Sequence, residues 1–87
     1  MESYSVSIKP SAAKELEALP ALKDRQRATV LIRGLSVNPR PPGSLKLAGA
    51  ADAYRIRFGP YRILYTVSDR VRIVAVFEIA HRREAYR

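Results

Sequence analysis

Apolar and polar residues change their spacing along the chain, and each change marks a predicted element. Tyr4, Val6 and Ile8 alternate with Ser5 and Ser7, the period-two pattern of a half-buried strand. Pro10 stops that strand. A helix is expected from Ser11 or its neighbours, with Ala12, Leu16 and Leu19 on one face. Glu15 lies early in it, where the helix dipole favours an acid. Pro20 breaks the register and suits the first turn of a second helix. There Ala28, Leu31, Ile32 and Leu35 recur at helical spacing. Lys23, Arg25, Arg27 and Arg33 take its other sides. Two helices joined at a proline read as a helical hairpin.

Asn38-Pro39-Arg40-Pro41-Pro42-Gly43 denies regular structure and reads as a loop. A short segment with Leu45 and Leu47 around Lys46 ends at Gly49. The pattern then turns strongly to period two. Tyr54, Ile56 and Phe58 alternate with Arg55 and Arg57, and Gly59-Pro60 makes a tight turn. Tyr61, Ile63, Tyr65 and Val67 alternate with Arg62, Leu64 and Thr66, up to a turn at Ser68-Asp69-Arg70. Val71, Ile73, Ala75, Phe77 and Ile79 read as one face of the last strand, with Arg72, Val74, Val76 and Glu78 between them. The tail from His81 to Arg87 is too polar for a core strand.

The order is β-α-α-β-β-β in one domain spanning residues 1–87, an α+β protein. Its economical packing lays both helices on one face of a small antiparallel sheet. The opposite face is left to carry function. Alternation puts Arg55 and Arg57 on one face, about 7 Å apart by the strand rise. Tyr54, Tyr61 and Tyr65 share the other face with Ile56 and Ile63, which suits core packing.

Charge sharpens this picture. The chain of 87 residues carries a net charge of +8. Residues 1–52 hold 8 basic and 5 acidic side chains, a net of +3; residues 53–87 hold 8 arginines and 3 acids, a net of +5. Arginine's rigid fork suits phosphate, so the second half points to an anionic partner such as nucleic acid or an acidic protein. There is no cysteine, which removes disulfides, thiolate metal sites and Cys nucleophiles. With no apparent signal peptide, a cytoplasmic setting is expected. No apolar run is long enough to span a bilayer, so no membrane partner is expected. Neither HExxH nor a carboxylate cluster is present, and no metal or cofactor is expected.

Four pieces in order carry a resemblance: Leu45-Lys46-Leu47-Ala48-Gly49, Tyr54-Arg55-Ile56-Arg57, Tyr61-Arg62-Ile63-Leu64-Tyr65, and His81-Arg82-Arg83-Glu84-Ala85-Tyr86-Arg87. Together they resemble the RelE-like toxins of the RelE/ParE superfamily, over nearly the whole chain. The resemblance implies a type II toxin, a ribosome-dependent endoribonuclease that cuts mRNA in the A site without metal. It also implies an acidic antitoxin partner in a heteromeric complex, besides the ribosome and mRNA. The family's active positions fall on Arg55, Arg57, Arg62, His81, Arg82 and Tyr86, with Lys46 and Arg83 as further RNA contacts. Arg55 departs from the lysine of the best-studied members, and an arginine is a poor base. His81, the only histidine, is then the candidate for proton transfer. The alternative within the superfamily is a ParE-like DNA gyrase inhibitor that cuts nothing.

Overall fold

The computed structural model describes residues 3–81. Its elements are β1 (Ser5–Ile8), α1 (Pro10–Glu17), α2 (Leu22–Gly34), β2 (Leu45–Lys46), β3 (Ala53–Phe58), β4 (Tyr61–Ser68) and β5 (Ile73–His81). They build one five-stranded sheet in the order β1-β5-β4-β3-β2. The two helices pack on one face of it, as the patterning predicts.

The sheet departs from the expected one in two ways. It is mixed: β1 runs parallel to β5, and the other pairings are antiparallel. The chain returns to β5 only after the whole helical hairpin and three other strands, so no tight turn forces an antiparallel match there. The segment around Lys46 is also a strand, paired with β3 at the sheet's outer edge.

Pro10 serves as the first residue of α1, where its missing N–H costs nothing. Pro20 stays outside α2, which begins at Leu22. Ala12, Leu19, Ala28, Ile32 and Leu35 bury against Ile56, Phe58, Ile63, Tyr65, Val67, Val74, Val76 and Ile79. Burying each large side chain of this set contributes roughly 1.5–3 kcal/mol.

In β5 the expected alternation fails, for a local reason. Tyr65 pairs with Val76 but Leu64 pairs with Glu78, so Phe77 is an extra residue: a β-bulge. Before it, Val74 and Val76 face the helices; after it, Ile79 and His81 do. The strand also starts later than expected, at Ile73, with Val71 exposed in the preceding turn and Arg72 at φ 56°.

The proline-rich loop is fastened down. The Tyr65 hydroxyl donates to the Pro39 carbonyl at 2.8 Å. The Arg40 guanidinium grips Asp69 with two bonds of 3.1 and 2.8 Å and donates to the Tyr54 hydroxyl at 2.9 Å. Tyr4 donates to the same Asp69 carboxylate at 2.6 Å. One turn carboxylate thus joins the loop to the residue preceding β1.

Candidate nucleic-acid interface

Residues directly opposite in an antiparallel pair share a face. The register therefore settles which candidate residues meet. Arg55 pairs with Leu64, and Arg57 pairs with Arg62. Across the next ladder Leu64 pairs with Glu78, and Arg62 with Ala80. The face opposite the helices thus carries two rows, Arg55-Leu64-Glu78 and Arg57-Arg62-Ala80.

The three arginines differ in setting. Arg57 is exposed and Arg55 half-buried, whereas Arg62 is only 5% exposed. An enclosed side chain cannot swing far into solvent, so Arg62 is held within the face while Arg57 is open to solvent. Ala80, the cross-strand neighbour of Arg62, is buried beside it. Like charges opposite one another oppose folding. An anion on this face would relieve that repulsion, and guanidinium groups offer it paired N–H donors.

Two candidates lie elsewhere. Lys46 pairs with Tyr54, which puts it on the helix side of the edge strand, away from the arginines. His81 pairs with Tyr61 and packs on it edge to face, with ring centres 5.5 Å apart and planes at 88°. It lines a cleft with Glu15, Leu19 and Tyr61, again on the helix side. The register thus places Lys46, expected as a further RNA contact, and His81, expected as the proton-transfer group, on the sheet side opposite Arg55, Arg57 and Arg62. Arg82, Arg83 and Tyr86 lie outside the described residues.

Glu78 was not singled out from the sequence. Strict alternation from Val74 and Val76 would turn it toward the helices, and only the bulge brings it to the arginine face. Among the described residues, no group of three or more His, Cys, Asp and Glu side chains is placed to hold a metal ion. No described helix is long and apolar enough to cross a membrane.

The fold and this face define a small basic α+β protein with an arginine-lined sheet surface. Comparison with known proteins gives the family. Residues 6–86 match the family described as the ParE toxin of the type II toxin–antitoxin system parDE. A Methanocaldococcus jannaschii protein named as a RelE1 toxin is 31% identical over 87 residues, covering 97% of this chain and 96% of that one. The RelE–RelB complex from Pyrococcus horikoshii OT3 contains a similar chain, with a TM-score of 0.80, 28% identity, and coverage of 91% of this chain and 94% of that one. The RelBE2 toxin–antitoxin complex of Mycobacterium tuberculosis contains another, with a TM-score of 0.78, 27% identity, and coverage of 92% and 99%. The chain belongs to the RelE/ParE superfamily of type II toxins.

Proposed function

We propose that this toxin is a ribosome-dependent endoribonuclease that cuts mRNA in the A site and so blocks translation. The observation that carries the reading is the convergence of Arg55, Arg57 and Arg62 on the face left open by the helices. RNA can be cleaved without metal by attack of a 2′-OH on the adjacent phosphate. The transition state is then a phosphorane bearing extra negative charge. Fixed guanidinium groups stabilise that charge without reorganising. Arg57 and Arg55 would hold the phosphate from outside, and Arg62 from below. The ribosome would hold the mRNA in line, which is worth several kcal/mol to a site with few proton-transfer groups.

The partner that silences the toxin is proposed to be an acidic antitoxin, as the RelB-containing complexes of similar chains suggest. A net charge of +8 favours fast, salt-sensitive encounter with such a chain.

A second reading, inhibition of DNA gyrase without cleavage, is favoured by the description of the matching family. Induced expression followed by mapping of mRNA 5′ ends separates the two. Cuts within translated codons support the nuclease. Intact mRNA together with a DNA-damage response supports gyrase inhibition and overturns the nuclease.

A further inference from the structure

Among the described residues, the three arginines of this face offer no base. Arg55, Arg57 and Arg62 are guanidinium groups, which stay protonated and take no proton, and His81 is turned to the helix side. The same bulge that removes His81 delivers Glu78. Were Phe77 regularly paired instead of bulged, the alternation would reverse, with Glu78 toward the helices and His81 beside the arginines. Bulges re-aim side chains in this way, often beside active sites.

The position of Glu78 fits the task. It is half-buried, opposite Leu64 and diagonal to Arg62. Diagonal cross-strand neighbours lie about 7–8 Å apart, within reach of a long side chain. Arg55 stands two strands away in the same row, about 10 Å across Leu64 at the usual strand spacing. Among the described residues paired in these two rows, Glu78 is the one carboxylate: its neighbours are arginines, a leucine and an alanine.

Resting on the mRNA-cleavage reading, we propose that Glu78 is the general base. Its carboxylate takes the proton of the 2′-OH, and the freed oxygen pair forms the bond to phosphorus. The P–O5′ bond breaks, and its electron pair leaves on O5′. A water molecule protonates O5′, and the hydroxide left behind takes the proton held by Glu78. The products are a 2′,3′-cyclic phosphate and a 5′-hydroxyl, and the carboxylate is restored. Arg62 and Arg57 hold the charge of the phosphorane throughout.

The test uses the purified full chain with ribosomes programmed with a defined mRNA. Single-turnover cleavage and ribosome binding are measured for wild type, Glu78→Gln and Glu78→Ala, with circular dichroism as the folding control. General-base catalysis typically contributes about 10²–10⁴ in rate, and a loss of that size with ribosome binding intact is expected for both variants. Added formate should restore cleavage to Glu78→Ala by filling the space left by the carboxylate, which a structural role would not allow. Should the alanine variant fail to fold, the nearly isosteric glutamine variant decides by its rate. Wild-type cleavage by either folded variant, or a folded Glu78→Ala that formate does not rescue, overturns the assignment while leaving the nuclease reading intact. Wild-type protein that leaves ribosome-bound mRNA uncut overturns the nuclease reading and this proposal with it.

Discussion

Arg57 and Arg62 stand directly opposite one another on neighbouring antiparallel strands, two positive charges on one sheet face. Cross-strand like charges are destabilising, by an amount within about 0.2–1 kcal/mol. Replacing exposed Arg57 by threonine, a good strand former, should raise the melting temperature and weaken toxicity. Thermal unfolding and growth arrest after induction measure the two effects. A variant as toxic as wild type would separate Arg57 from the site.

Arg62→Ala should abolish toxicity. Removing one donor aimed at transition-state charge typically costs about 10²–10³ in rate. Because Arg62 is buried, its aliphatic stem also packs, and a lower melting temperature is expected alongside. The protein should remain folded by circular dichroism. Undiminished growth arrest at verified expression would remove Arg62 from the catalytic face.

Tyr65→Phe keeps the ring stacked on Tyr54 but leaves the Pro39 carbonyl without its donor. Loss of a buried partner costs about 1–3 kcal/mol. For a domain of this size each kcal/mol corresponds to roughly 4–8 °C in melting temperature. Burial pushes the Tyr65 phenol above its ordinary pKa, so this bond persists through neutral and mildly alkaline pH. Scanning calorimetry of the two proteins checks the shift.

Asp69 links acid stability to the loop latch. The Arg40 guanidinium, and then the Tyr4 hydroxyl, lower its pKa from 3.8 to about 2. Between those values the folded protein binds fewer protons than the unfolded chain, so stability rises with pH there. The contribution is fully present above about pH 4 and is lost as pH falls through about 2. Melting curves of wild type and Asp69→Asn should therefore differ at neutral pH and converge on acidification. The difference should be small, because both partners of the ion pair are solvent-exposed.

Gly59 turns the chain between β3 and β4 at φ 53°, in the left-handed region. A side chain there costs roughly 1–2 kcal/mol for backbone reasons alone. Gly59→Ala should therefore destabilise the protein although nothing lies within 4 Å of the added methyl. Urea denaturation with an unchanged slope would identify the loss as stability rather than a change of unfolded state.

Local pattern alone was enough for the two helices, the strands from Tyr54 and Tyr61, and the face shared by Arg55 and Arg57. Those features depend on side-chain period and on proline and glycine, which act over a few residues. The net charge and its arginine-rich second half likewise belong to the sequence itself. Tertiary structure decided the rest. The parallel pairing of β1 with β5 joins residues more than sixty positions apart, beyond the reach of any local signal. The burial of Arg62 depends on what its neighbouring strands bring beside it. The bulge at Phe77 depends on how β5 meets β4, since an extra residue on one strand exists only relative to its partner. That one register shift turned His81 to the helices and Glu78 to the arginines, because in a strand a slip of one residue exchanges the two faces.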